Sequence, residues 1–158
     1  MLKIWVTFMI IFLLSNGLVA DENNSTKKAT THLKKNKILS GKNLVIVVSS
    51  GDLQVAGMGF GLALSGVKQG ANVTIVIGAN AIKYLLKEGD QNIYFAKGRT
   101  PRYLLQSALK SGVEIQVCSA NSDEMNLDED DFIDGVKLVI STEIFTKVFE
   151  EGTRVISF

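Results

Sequence analysis

The stretch "NLVIVVSS" (residues 43–50) decides the fold class, because its apolar part is continuous and rich in β-branched residues. A run of this kind predicts a strand that is covered on both faces. "NVTIVIG" (72–78) repeats the pattern. Between the two lies "VAGMGFGLALSGVKQG" (55–70), where apolar residues recur at helical spacing and Gly70 gives a stop signal. A strand, a helix and a second strand in this order predict parallel pairing through a right-handed crossover.

The same alternation continues to the end of the chain. Thr100 as N-cap and Pro101 at the first helical position predict a helix that Gly112 closes, and "VEIQVC" (113–118) follows as the third strand. The other predicted elements are a helix in "ANAIKYLLKEG" (79–89), a short acidic helix in "NLDEDDFIDG" (126–135), a strand in "VKLVIS" (136–141), a helix in "TEIFTKVFEEG" (142–152) and a strand in "TRVISF" (153–158). The sequence therefore predicts a three-layer α/β/α sandwich around a five-stranded, mainly parallel sheet of the flavodoxin/Rossmann-like type.

The N-terminus predicts export. Lys3 precedes the apolar stretch "IWVTFMIIFLL" (4–14), and the small residues of "SNGLVA" (15–20) follow it. This order is typical of a secretory signal peptide over residues 1–20, with cleavage after Ala20 or Gly17. We therefore expect a periplasmic or secreted protein with no membrane span after cleavage. An uncleaved membrane anchor is the alternative, although the stretch is short for a span of about 20 residues.

A polar segment separates this leader from the folded part. Residues 21–41 contain five lysines and two acids, with too few apolar residues to form a core, and predict a flexible tether. Residues 42–158 contain 11 Lys+Arg and 14 Asp+Glu, a net charge of −3, and form one predicted domain. We expect no nucleic acid as a partner of this acidic domain. His32, the only histidine, lies in the tether, which excludes a histidine-based dyad from the domain.

Several familiar ligand motifs fail on spacing. The glycines of "GMGFGLALSG" (57–66) do not give GxGxxG, because Leu62 and Leu64 occupy the third positions, and no GxxxxGK loop is present. Close packing of a helix explains these glycines. The acidic stretch "SDEMNLDEDD" (122–131) lacks the glycine turn and terminal glutamate of a calcium loop. We expect neither a cofactor nor a metal, with a flavin phosphate on "SSGDLQ" (49–54) as the open alternative.

Three cations lie around the start of the helix that begins after Thr100. Lys97, Arg99 and Arg102 gather in the connection "YFAKGRTPR" (94–102). One interpretation is that they approach the strand ends and stabilise an anion there, and the other is that they are solubility charges.

The only cysteine, Cys118, is placed where a strand is predicted to give way to the polar loop "SANS" (119–122). Free cysteines are often buried and serve only packing. A position at the carboxyl end of a parallel strand is instead a place where ligands bind. Backbone N–H groups after the strand would favour a thiolate, whereas Asp123 and Glu124 would oppose it, so both interpretations stay open.

These segments resemble a known family. "SGVEIQVCSAN" (111–121) followed by "GVKLVISTEIFTKVFEEGTRVISF" (135–158) resembles the DsrE/DsrF-like family, which includes TusD-like sulfur-relay proteins. The resemblance implies compact α/β/α subunits that assemble into trimers or hexamers. It also implies that Cys118 matches the cysteine that accepts sulfane sulfur as a persulfide and passes it to another protein. The relay proteins are cytoplasmic, whereas this chain is predicted to be exported, and many members of the family have no demonstrated activity.

The leading hypothesis is an exported, oligomeric sulfur carrier that receives sulfur from a donor protein on Cys118 and relays it to an acceptor protein. Whether such a carrier also acts as a sulfurtransferase stays open. The alternative is a non-catalytic oligomeric binding or assembly module in which the cysteine is structural.

Overall fold

The computed structural model describes residues 37–89 and 98–158. Within these ranges five strands alternate with helices, as the sequence predicts. The strands are β1 Asn43–Val48, β2 Asn72–Ile77, β3 Glu114–Cys118, β4 Val136–Val139 and β5 Arg154–Ser157. The α-helices are α1 Leu53–Lys68, α2 Pro101–Lys110, α3 Ser119–Glu124 and α4 Ser141–Val148, and 3₁₀ helices occupy Ala79–Tyr84 and Glu129–Asp131.

All five strands are parallel and lie in the order β4-β3-β2-β1-β5. The chain moves outward from β1 to β4 and then returns to the other side of β1. With right-handed crossovers, this order places α1, α2 and α3 on one face of the sheet and α4 on the opposite face. The predicted three-layer fold is confirmed, and the strand order reverses between β1 and β5.

The face under α1 and α2 carries the main core. Alternate residues of the central strands point to it and are fully buried, among them Ile46, Ile75 and Ile115. Phe60 of α1 and Leu104 of α2 close this core from above.

The opposite face is more polar, because only the short helix α4 covers it. Glu114 of β3 is paired there with Lys137 at 3.0 Å and with Lys147 of α4 at 3.3 Å. Gln116, almost fully buried on the same strand, donates to Glu114 at 3.2 Å. Strand alternation places Cys118 on this face as well, two residues after Gln116.

Three local predictions differ from the structure. The helix predicted over residues 79–89 is a six-residue 3₁₀ helix, Ala79–Tyr84, whose first residue, Ala79, lies in the left-handed region at φ 47°. The polar loop predicted after Cys118 is the short helix α3, which begins at Ser119. The predicted acidic helix of residues 126–135 is reduced to the 3₁₀ turn Glu129–Asp131, which Asp128 caps.

Packed structure begins before residue 42. Leu39 contacts the core and donates its backbone N–H to the carbonyl of Gln69 at 3.1 Å. The last residues of the predicted tether therefore belong to the folded unit. The predicted signal peptide and the tether up to residue 36 lie outside the described residues. Among the helices that are described, none combines the length and the apolar character needed to span a membrane.

Candidate functional site around Cys118

Cys118 lies at the carboxyl edge of the sheet. It is the last residue of β3, pairs with Val139 of β4, and occupies the N-cap position of α3. Its side chain is neither fully buried nor fully exposed. Such a position lets a visiting group reach the sulfur while the strand holds it in place.

Ser141, the first residue of α4, stands next to the thiol. The Cys118 Sγ and Ser141 Oγ atoms are 3.6 Å apart, and either atom can donate the hydrogen bond. The start of α4 is fixed by its own sequence, because the Glu143 carboxylate accepts from the N–H of Ile140 at 3.5 Å. Helix α4 thus places a hydroxyl group beside the sulfur. The sequence analysis did not single out Ser141. Its place directly after the fourth strand was the available signal.

Asn121 ties the helix after Cys118 to the neighbouring strand end. Its Oδ1 accepts from the N–H of Ala79 at 3.1 Å, and a Cβ on Gly78 would stand only 2.7 Å from it. Glycine at 78 therefore permits the close approach of the Asn121 side chain, and Ala79 takes its positive φ beside the same contact. This link holds the residues that follow Cys118 against the end of β2.

The loop considered for a flavin phosphate is already occupied by its own side chains. The Asp52 carboxylate caps α1 by accepting from the N–H groups of Gln54 and Val55, both at 2.9 Å. Ser49 Oγ donates to the carbonyl of Phe158 at 3.1 Å. A carboxylate at the helix start repels a phosphate and takes the amides that would bind it. The arrangement therefore disfavours a phosphate at this loop.

The crevice at the strand-order reversal is also filled. Phe158 follows β5 and packs against the core, and its carbonyl accepts a hydrogen bond from the N–H of Ser49 at 2.8 Å. A Cβ on Gly59 would stand 3.2 Å from the Phe158 ring. The place where doubly wound sheets usually bind a ligand is thus occupied by Phe158.

Lys83, which the sequence analysis did not name, lies near the loop of residues 49–54. Lys83 Nζ is 5.1 Å from the centroid of the Tyr84 ring and 3.3 Å from where a Cβ on Gly51 would be. Tyr84 donates its hydroxyl to the carbonyl of Gly51 at 2.8 Å, and burial, followed by the Asp52 charge, raises its pKa. Lys83 could not be placed from sequence because the predicted α-helix is a 3₁₀ helix.

Of the three cations predicted to bind an anion, Arg99 and Arg102 are among the described residues. Lys97 lies outside the described residues. Arg99 is half-buried, and its Nε has no hydrogen-bond acceptor among the described residues. Arg102 donates to the carbonyl of Leu86 and lines a cleft beside α2. An anion-stabilising role for these cations near the thiol stays a prediction.

Metal-ligating side chains do not gather within residues 37–89 and 98–158, where no three of His, Cys, Asp or Glu come together in a suitable cluster. The predicted absence of a metal or cofactor stays a prediction.

The sequence model of the DsrE/DsrF-like family matches residues 42–158, which include every strand and Cys118. The chain belongs to the DsrE/DsrF-like family. Among curated proteins, no match was found.

Solved structures agree with this membership at the level of the fold. The ychN protein from E. coli is 16% identical, with a TM-score of 0.62 over 74% of this chain and 99% of that one. A protein of unknown function from Methanobacterium thermoautotrophicum, MTH1491, is also 16% identical, with a TM-score of 0.55 and the same coverage. At this identity the likeness establishes the α/β fold and leaves the chemistry to be argued from the site.

Proposed function

We propose that this DsrE/DsrF-like protein carries sulfane sulfur as a persulfide on Cys118 and passes it to an acceptor thiol. The observation that carries the proposal is the position of the Cys118 sulfur. It lies at the carboxyl edge of the sheet, partly exposed, and 3.6 Å from the Ser141 hydroxyl. Membership of a family with sulfur-relay proteins supports the same chemistry.

The transfer needs only thiol chemistry. The Cys118 thiolate attacks the outer sulfur of a donor persulfide, R–S–SH, so that a new S–S bond forms on Cys118 while the donor S–S bond breaks. The donor leaves as the thiolate R–S⁻, and Cys118 becomes Cys–S–SH. An acceptor thiolate then attacks the outer sulfur, takes it as its own persulfide, and returns Cys118 as a thiolate. No net oxidation occurs in either step.

The surroundings of the sulfur suit this exchange. Ser141 can donate a hydrogen bond to a negatively charged sulfur, which stabilises the anionic form that both attacks require. Because Cys118 is the only cysteine, its persulfide cannot collapse into a disulfide within the chain. A carrier with a single thiol therefore holds its cargo until an acceptor arrives.

We further propose that the carrier is exported and self-associates into a trimer or hexamer. The predicted signal peptide of residues 1–20 supports export. Self-association is supported by the exposed rings of Phe145 on α4 and of Phe149 at its C-cap, which lie 6.1 Å apart. It is also supported by the edge strand β5, whose four residues are all exposed. Light scattering should give a trimer or hexamer, and a monomer at micromolar concentration would contradict this part of the proposal.

Cyanolysis tests the sulfur carrier. The protein is incubated with glutathione persulfide, separated from the donor, and treated with cyanide, which converts sulfane sulfur into thiocyanate. We expect about one thiocyanate per chain from the native protein and none from Cys118→Ser. If the native protein also yields none, while Cys118→Ser lowers only its stability, the cysteine is structural and the alternative of a binding or assembly module stands.

A further inference from the structure

We infer that the cleft beside α2 is a docking site for an acidic, extended peptide segment of a partner protein. The cleft has a volume of about 380 Å³ and is lined by Lys87, Arg102, Gln106, Leu109, Lys110, Ile133 and Asp134. Cys118 is not among these residues. The inference therefore stands independently of the chemistry proposed for the thiol.

One wall of the cleft is a stripe of hydrogen-bond donors. Arg102, Gln106 and Lys110 follow one another at intervals of four residues, which places them on the same face of α2. At 1.5 Å of rise per residue, the two cations at the ends of the stripe are about 12 Å apart along the helix axis. A single small anion can contact one end of the stripe, whereas an extended peptide of about four residues spans it.

Among the described residues, the cations of this stripe have no acidic partners. Arg102 is half-buried, its Nη2 donates to the carbonyl of Leu86, and its Nε has no acceptor within the described residues. Burial lowers the pKa of Arg102, and no carboxylate of the described residues offsets this loss of hydration. Lys110 has neither an ion pair nor a hydrogen bond among the described residues. In a domain of net charge −3, two cations of one helix face without acidic partners among the described residues favour an anion from outside.

The opposite wall defines the rest of the occupant. Lys87 lies there, donating to the carbonyl of Asp130 at 2.9 Å and standing 3.9 Å from the fully exposed carboxylate of Asp134. Leu109, on α2, and Ile133 add apolar surface to the lining. The chemistry therefore fits a peptide with carboxylates that match Arg102 and Lys110 and with an aliphatic side chain.

Fluorescence anisotropy on the full chain tests the inference. The probe is a labelled peptide with one leucine between two pairs of glutamates, and its neutral counterpart carries glutamines instead. We expect the acidic peptide to bind and the neutral peptide to bind at least about tenfold more weakly. Lys110→Gln should weaken binding of the acidic peptide about three- to fivefold, in the range of one exposed ion pair.

Matched variants separate the cleft from general charge effects. Lys68→Gln removes the same charge from the exposed last turn of α1 and should change the dissociation constant by less than about 1.5-fold. Asp134→Asn should tighten binding, because it removes the acid at the rim. Arg102→Gln should weaken binding, with a thermal melt to show that the variant is folded. Lys110→Gln, whose side chain is exposed, gives the same readout without that risk.

Three results would overturn the inference. Equal losses for Lys68→Gln and Lys110→Gln would mean that attraction is unspecific. Equal binding of the neutral peptide would mean that the charges do not contribute. Displacement of the peptide by inorganic phosphate at concentrations equal to the dissociation constant of the peptide would identify a site for small anions instead of a peptide.

Discussion

Two glycines of α1, only two positions apart, should respond in opposite directions to the same substitution. Gly59 is buried against the sheet, and a Cβ there would stand 2.8 Å from Val48 Cγ2 and 3.2 Å from the Phe158 ring. Gly61 has nothing within 4 Å of its added Cβ. The comparison therefore tests whether tight packing at the strand-order reversal, rather than a ligand, accounts for the glycine at 59.

The magnitudes follow from two opposing effects. Replacing glycine with alanine in a helix stabilises by about 1 kcal/mol at either position, since the unfolded chain loses freedom. At Gly59 the added methyl group comes at least 0.6 Å closer than the 3.4 Å at which ordinary contacts begin, against the fully buried Val48. Overpacking of this kind costs about 1–3 kcal/mol. We expect Gly61→Ala to stabilise by about 1 kcal/mol and Gly59→Ala to destabilise by up to about 2 kcal/mol.

Urea denaturation, followed by circular dichroism at pH 7, measures both free energies of unfolding. The two variants should differ by about 1–3 kcal/mol, with the native protein between them or level with Gly59→Ala. The reasoning is refuted if Gly59→Ala is as stable as Gly61→Ala, because the contact with Val48 and Phe158 would then be absent.

Two further predictions concern the polar face of the sheet. Partial burial raises the pKa of Glu114. The hydrogen bonds from Lys137 and Gln116 and the charge of Lys147 lower it by more, so the pKa lies below its ordinary value. The ionised Glu114 side chain contributes about 1 kcal/mol to stability above the unfolded pKa of about 4.3, and this contribution is lost as the pH falls through the lower folded pKa. The free energies of unfolding of Glu114→Gln and of the native protein should therefore converge at low pH. A difference that stays constant with pH would contradict this. Ser141→Ala should slow iodoacetamide alkylation of the native protein about two- to tenfold, and an unchanged rate would show that the hydroxyl does not assist the sulfur.

The strands could be predicted because burial leaves a direct mark on sequence. Continuous apolar runs identified β1 and β2, and Thr100 with Pro101 fixed the start of α2, which begins at Pro101 with the Thr100 hydroxyl accepting from Tyr103 at 3.0 Å. In these places local propensity and tertiary burial favour the same structure.

The site could be predicted only in part. The position of Cys118 at a strand end follows from the strand pattern, but its neighbours depend on long-range placement. Ser141 reaches the thiol because β4 lies beside β3, which no local pattern reveals. The strand order reverses between β1 and β5, away from β3, because the chain crosses from β4 to the far side of β1. The 3₁₀ helix after β2 begins at Ala79, whose N–H is bound by Asn121, 42 residues away in sequence, a contact that no local pattern reveals.

Intact-mass spectrometry tests the central proposal most directly. The native protein is incubated with a persulfide donor and separated from it. Its intact mass is then measured before and after treatment with dithiothreitol, with Cys118→Ser as the control. We predict a gain of one sulfur atom per chain, located by peptide mapping on Cys118, removed by the reductant and absent from the variant. A native protein whose mass does not change, under conditions in which Cys118 is alkylated readily, would contradict the proposal that this sulfur atom is a carrier.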